Sequence, residues 1–285
     1  MSIPRSFKQE LVGVFGYPAA ENPTQAMIEP AFADLGLDWR YLTVEVRPEG
    51  LADAVRGARA MGWRGFNCTI PHKVAVIEHL DELSPAAEAI GAVNCVVNRD
   101  GRLIGDNTDG KGFVASVAEV RPIVGANALI LGAGGAARAI AVELAMAGAK
   151  RITIVGRTPA KAEALARRVT ERTGVEASHR PWRPEIEVGE GVDLLVQATP
   201  IGLFPDVDAR VPIEVARLPQ GILVCDVIPN PPRTRLIREA EARGLTTLDG
   251  LGMLVNQGII GIRLWSGRDA RADLMRQALA SIFGG

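Results

Sequence analysis

The chain has 285 residues, 47% of them hydrophobic, and 32 Lys and Arg against 33 Asp and Glu for a net charge of -1. That balance excludes a nucleic-acid surface, which needs a basic stripe, and no apolar run approaches the roughly 20 residues that span a bilayer. The opening stretch MSIPRSFKQE has no apolar signal core, so the expectation is a cytoplasmic globular protein of one large domain or two average ones. Cys68, Cys95 and Cys225 are odd in number and far apart. They read as small buried hydrophobes in a reducing compartment, with neither a disulfide framework nor a metal site.

Taken in order, LVGVFG predicts a strand, followed by a helix reaching Gly36 and a strand in WRYLTVEV. An amphipathic helix around LADAVRGARAMG leads to the strand RGFNCTI, and a helix is expected over residues 74–80. AVNCVVNRDGRLIGDN reads as a hairpin, because Asp100-Gly101 is a strong two-residue turn signal. A helix over about residues 109–120 ends at the Pro- and Gly-containing connection RPIVGAN. The second half restarts with strands in NALILG, RITIVG, VDLLVQ and GILVCDV, and closes with helices over about residues 253–265 and 270–283. Strands alternating with helices predict an α/β protein built from parallel βαβ units. The expected division is a substrate domain over residues 1–120 with part of 253–285, and a Rossmann-type doubly wound nucleotide domain over 121–252. Clefts between such domains are where small ligands bind.

The strand ALIL runs into Gly132, Gly134 and Ala137, spaced G-x-G-x-x-A, and a helix starts at once. Gly132 allows the tight turn, Gly134 the close approach of a pyrophosphate, and Ala137 close helix–strand packing, while the helix N-terminus offers free N–H groups. The next strand ends in Gly156, Arg157 and Thr158, with Lys161 one step on, where an NAD site places an acid. A carboxylate there would repel a 2′-phosphate, whereas a guanidinium can hold one. NADP is the favoured cofactor, with NAD as the alternative.

At the other end, NCTIPHK places Lys73 just after a strand's carboxyl edge, where α/β proteins open their sites. VFGYP at 14–18, NCTIPHK at 67–73, IGAVNCVV at 90–97 and GDNTDGKG at 105–112 appear together with LGAGGAARA, VGRT, VQATPIGL and DGLGMLVNQG. With these motifs in this order, the chain resembles the shikimate dehydrogenase family along most of its length. The resemblance implies hydride transfer between a nicotinamide cofactor and a cyclic polyhydroxy acid, shikimate/3-dehydroshikimate or a close relative, as in aromatic amino-acid biosynthesis. It implies Lys73 and Asp109 as the catalytic pair, and Asn67, Thr69, Asn94 and Gln257 as partners of substrate hydroxyls. It further implies Gly132, Ala133, Gly134, Gly135, Ala136, Gly156, Arg157, Thr158, Lys161, Thr199, Val227 and Gly250 as cofactor-binding positions. Asp109 on its own also reads as a helix N-cap before GKGFVASV.

The family's Ser-x-Ser pair, which holds the ring carboxylate, is replaced by Asn22 and Thr24 in AAENPTQAM, and its tyrosine after the Asp-x-x step by Pro229. Proton-transfer residues kept beside a changed acid-holding end point to altered substrate preference. The alternatives are a quinate or amino-shikimate dehydrogenase using NAD, and a non-catalytic sensor of quinate-like ligands on the same fold. The expected partner is a small polyhydroxy acid, with no nucleic acid and no membrane, in a chain that can form a homodimer. His72, His79 and His179 do not cluster and read as structural or surface residues.

Overall fold

The computed structural model describes residues 7–283; the first six residues expected in the substrate domain, and the last two of the chain, lie outside it. In chain order the first half runs β1 (Glu10–Gly16), α1 (Thr24–Asp34), β2 (Trp39–Glu45), α2 (Leu51–Ala60), β3 (Gly65–Cys68) and α3 (His72–Ala75). It continues with β4 (Glu82–Leu83), α4 (Pro85–Ile90), β5 (Cys95–Arg99), β6 (Arg102–Asp106) and α5 (Asp109–Ala118). These strands form a mixed six-stranded sheet in the order β2-β1-β3-β5-β6-β4. β1 pairs in parallel with β2 and β3, and β5 runs antiparallel to both β3 and β6. The β5–β6 hairpin turns on Asp100 at φ +52° and Gly101 at φ +88°. These are the two positive values that a type I′ turn requires, and Asp-Gly supplies them.

The second half runs β7 (Asn127–Leu131), α6 (Gly135–Met146), β8 (Arg151–Gly156), α7 (Pro159–Thr173), β9 (Glu176–Pro181), β10 (Leu194–Gln197) and β11 (Leu223–Asp226). It ends with α8 (Arg235–Ala242), β12 (Thr246–Leu248), α9 (Gly250–Ser266) and α10 (Ala272–Phe283). Its six strands form a second sheet, β12-β11-β10-β7-β8-β9, in which every pairing is parallel. The chain winds outward from β7 in both directions, so a crevice opens at the carboxyl ends of β7 and β10.

α9 and α10 return to the first sheet. Val255, Ile262 and Trp265 of α9 and Met275 and Leu279 of α10 share a core with Val12, Tyr41 and Val97, and the Trp265 indole donates to the Val96 carbonyl at 3.0 Å. α5 is the joint between the halves, packed against both α6 and α9. Its glycines make that possible. A methyl group on Gly110 would lie 2.4 Å from the Ala139 carbonyl oxygen, and one on Gly112 2.8 Å from the Gln257 nitrogen and the Met253 oxygen.

Several boundaries differ from the sequence reading. The helix expected over 74–80 is α3 followed by a 3-10 turn at Val76–His79, and Pro71 occupies the N-cap position. α9 starts at Gly250, because the Asp249 carboxylate caps it by accepting from the Leu251 N–H at 2.9 Å. β4, β9 and β12 escape sequence reading. β4 has only two residues, β9 lies on an exposed edge with a polar sequence, and β12 has three residues at the other edge. Short or polar edge strands lack the alternation that marks a half-buried strand.

Candidate active site

Lys73 and Asp109 meet in the cleft, with Nζ 2.5 Å from Oδ2 and side-chain exposures of 16% and 8%. Asp109 opens α5, but Thr108 occupies the N-cap position and no side chain caps the helix. The capping reading of Asp109 is therefore overturned: its carboxylate points at the lysine and also accepts from Asn94 Nδ2 at 2.8 Å. The lysine of the pair reaches the nucleotide loop. A methyl group on Gly135 would lie 3.0 Å from Lys73 Cδ and 3.2 Å from its Cβ, so the lysine stem rests on the first residue of α6.

Asn94 anchors a buried polar cluster. Its Oδ1 accepts from the Thr108 N–H at 2.7 Å, and its Nδ2 lies 3.0 Å from Thr108 Oγ1 and 3.5 Å from Gln257 Oε1. Gln257 Nε2 donates to the Leu254 carbonyl at 3.0 Å, which holds the amide oxygen toward the cluster. Asn67, at 7% exposure, donates from Nδ2 to the Asn94 carbonyl at 2.9 Å. Thr69 follows β3, its N–H bonded to the Phe15 carbonyl. Lys73, Asp109, Asn94, Gln257 and Asn67 thus fall in one linked cluster, with Thr69 just beyond the end of β3. Sequence reasoning missed Thr108, fully buried within that cluster, and Tyr41, whose phenol donates to Asn67 Oδ1 at 2.7 Å. The Asx/Thr-rich run GDNTDG is the signal that marks Thr108. Tyr41 lies in another strand, and only tertiary structure brings it to Asn67.

The end expected to hold a carboxylate is differently arranged. Asn22 Oδ1 accepts from the Thr24 N–H at 3.0 Å. Thr24 is buried, its side chain close to the Tyr41 phenol. Asn22 lines a groove of about 920 Å³ with Gln25, Glu29, Thr43 and Glu45, and Glu45 Oε1 accepts from the Ala19 and Ala20 N–H groups at 2.9 and 3.3 Å. Tyr17 carries the Arg47 guanidinium 4.6 Å above its ring. Across the cleft, Asn230 Nδ2 donates to the Glu21 carbonyl at 3.4 Å. The loop that carries Pro229 is held from below by Asp226, which accepts from Thr234 Oγ1 at 2.8 Å and the Ile228 N–H at 3.1 Å. Burial pushes the Asp226 carboxyl up to about 7.

The residues of the nucleotide loop fit a dinucleotide. Gly132 has φ +114°, and a methyl group there would lie 2.6 Å from the Ala198 carbonyl oxygen; at Gly134 it would meet nothing within 4 Å. The loop can therefore be approached closely from outside, and no side chain caps the N-terminus of α6, which leaves its N–H groups for phosphate oxygens. Ala133 and Ala136 flank this turn half-buried, with Gly156 buried at the end of β8 beside it. Arg157, Thr158 and Lys161 are exposed, and neither cation has a side-chain partner among the described residues. Thr199 lies over Gly132, with Cγ2 3.3 Å from that built methyl position. Val227 donates its N–H to the Gln197 carbonyl at 3.1 Å. Gly250 packs on the Ile228 carbonyl, 2.5 Å from where a side chain would start.

His72 is buried with Nε2 2.7 Å from the Val46 carbonyl, so the ring is a structural donor. Burial pushes the Cys68 thiol up to about 12 despite the Lys73 charge, and it stays protonated. Among the described residues no His, Cys, Asp and Glu cluster could hold a metal, and no helix is long and apolar enough to cross a membrane.

Residues 14–96 match the shikimate dehydrogenase substrate binding domain, 116–181 the shikimate/quinate 5-dehydrogenase family, and 250–280 the shikimate 5′-dehydrogenase C-terminal domain. The shikimate dehydrogenase (NADP(+)) of Desulforamulus reducens is 44% identical, the alignment covering 95% of each chain. A ligand-free 5-ketofructose reductase from a Gluconobacter species is 52% identical, with a TM-score of 0.90 over 98% of this chain and 100% of that one. Shikimate 5-dehydrogenase of Thermus thermophilus, solved with NADP(H) and shikimate, is 37% identical with a TM-score of 0.84 over 96% and 99%. Full-length similarity of this kind, around a lysine–aspartate pair set on a nucleotide loop, makes the chain a member of the shikimate dehydrogenase family, an NADP-dependent oxidoreductase acting on a CH–OH group.

Proposed function

We propose that the cleft interconverts a ring secondary alcohol and its ketone on a compact polyhydroxylated substrate, the shikimate/3-dehydroshikimate pair being the first reading. The observation that carries it is the Lys73–Asp109 contact at 2.5 Å with the lysine stem resting on Gly135. Bound NADP(H) supplies the hydride chemistry, held by the loop from Gly132 to Ala136, by Arg157, Thr158 and Lys161, and by the turn carrying Thr199, Val227 and Gly250. Lys73 donates a proton to the carbonyl oxygen as the carbon is reduced, and takes it back in oxidation. Asp109 orients the ammonium, and Asn94 fixes Asp109 in turn. Asn67, Thr69, Asn94 and Gln257 bind substrate hydroxyls. The domain division follows: residues up to about 120 together with α9 and α10 bind substrate, and those between bind the nucleotide.

A second reading is an uncharged polyhydroxy ketone of the ketose type, the substrate class of the Gluconobacter relative. It is favoured by Thr24, which is buried at 4% exposure, and by Pro229, which has no hydroxyl to offer a carboxylate. A sensor without catalysis would have no use for the lysine–aspartate pair. A cytoplasmic homodimer is part of the proposal, checked by cell fractionation and by sedimentation. The deciding experiment is kcat/KM with NADPH for 3-dehydroshikimate, 3-dehydroquinate and 5-ketofructose. Saturable turnover of at least one supports the reading, and turnover of none refutes it.

A further inference from the structure

Tyr41 is fully buried in the middle of β2. Its phenol donates to Asn67 Oδ1 at 2.7 Å. An asparagine amide has one oxygen and two N–H donors. For Asn67 the oxygen belongs to Tyr41, and one N–H belongs to the Asn94 carbonyl at 2.9 Å. That carbonyl also accepts from the Cys68 N–H at 2.9 Å, so the amide is held at both ends. What remains for a ligand is one N–H and the second lone pair of an oxygen already engaged by Tyr41. Turning the amide over would set Oδ1 against the Asn94 carbonyl and leave two acceptors facing each other.

We propose that Tyr41 is a positioning residue that, with the Asn94 carbonyl, holds the Asn67 amide in the orientation that leaves one N–H for a substrate oxygen. The proposal rests on the reading of Asn67 as a substrate-binding residue. Burial pushes the Tyr41 phenol well above its usual range, so it keeps its proton and its donor role at any working pH. The same arrangement reaches the catalytic pair: Asn67 is tied to the backbone of Asn94, whose side chain holds Asp109.

The test is Tyr41→Phe, which keeps the ring and its packing against Trp265, 6.3 Å between centroids. KM for the ketone found to be turned over should rise about tenfold, the scale of a lost hydrogen bond plus a buried acceptor left unpaired. On the same scale kcat should stay within about threefold and NADPH affinity, read by nucleotide fluorescence, should not change. In an Asn67→Ala background the loss of the Tyr41 hydroxyl should raise KM no further, since Tyr41 acts through Asn67. Should Tyr41→Phe fail to fold, Asn67→Asp keeps the acceptor for Tyr41 and removes the N–H, and its KM should rise by the same about tenfold. An unchanged KM in folded Tyr41→Phe or in Asn67→Asp, or an additive loss in the double variant, overturns the role of Tyr41 while the dehydrogenase reading stands. No turnover of any ketone by the wild type would remove that reading, and this inference with it.

Discussion

Lys73→Met is the most informative single change, because it separates the ammonium from the stem that carries it. The stem packs on Gly135, with Cδ and Cβ 3.0 and 3.2 Å from a built methyl position, and Met is unbranched and flexible enough to keep that contact. What disappears is the proton donor 2.5 Å from Asp109. Losing a general acid–base group lowers kcat by about 100- to 10,000-fold, or about 2.7 to 5.5 kcal/mol of transition-state stabilisation. KM should change far less, since the substrate hydroxyls keep Asn67, Thr69, Asn94 and Gln257. The change also leaves Asp109 without its cation. Breaking a buried pair costs about 3–5 kcal/mol when the remaining charge has no other partner, but Asp109 retains Asn94 Nδ2 at 2.8 Å, so the loss of stability should fall below that range. The assay is NADPH oxidation followed by absorbance, run well below the melting temperature of the variant, with nucleotide affinity measured separately. A kcat within about threefold of wild type would take Lys73 out of the proton transfer, since a general acid–base group is worth at least about 100-fold.

Arg157→Ala should weaken NADP binding by about 1.5–3 kcal/mol, the scale of a charged hydrogen bond, while NAD binding hardly changes; equal loss of both, by titration calorimetry, contradicts the 2′-phosphate assignment. The triple change Asn22→Ser, Thr24→Ser and Pro229→Tyr should raise kcat/KM for shikimate by about tenfold or more, or at least about 1.4 kcal/mol, provided melting curves show the variant folded; no gain over an already efficient wild type sinks the argument about the acid end. Asp226 gives a pH signature. Its folded value of about 7 lies above its unfolded one, so its contribution to stability is complete below the unfolded value and is lost as pH rises through about 7. Thermal stability should therefore fall between about pH 4 and pH 7 with a slope approaching 1.4 kcal/mol per unit, and Asp226→Asn should flatten that slope; identical slopes would show that another group is responsible.

Much of this architecture is legible from residues alone, for reasons that differ between sites. Gly132, Gly134 and Ala137 announce the nucleotide loop because backbone constraints are local: a φ of +114° at Gly132 and a closed space behind it leave few residue choices. Asp100-Gly101 announces the hairpin for the same reason. The lysine–aspartate pair is a different case. Its members stand 36 positions apart, and their meeting depends on Gly110 and Gly112 letting α5 press against α6 and α9. Only the resemblance could link them in advance. Tyr41 was out of reach altogether, since its strand reads as ordinary core and its partner Asn67 lies 26 positions away. At the acid end, the substitutions at 22, 24 and 229 are plain in the sequence. That Thr24 is buried, and that the Asn22 oxygen is taken up by the Thr24 backbone, depends on packing that no local pattern encodes.

The central claim is that this cleft passes hydride between NADP and a polyhydroxylated ketone, with Lys73 supplying the proton. It is tested most directly by following NADPH and NADH oxidation by the wild-type protein against 3-dehydroshikimate, 3-dehydroquinate and 5-ketofructose, side by side with Lys73→Met. The account predicts saturable oxidation of NADPH with at least one ketone, a preference for NADPH over NADH of about tenfold or more from the Arg157 and Lys161 side, and collapse of kcat in the variant with nucleotide affinity intact. Oxidation with none of the three ketones, equal use of the two nucleotides, or a Lys73→Met enzyme as fast as wild type would contradict it.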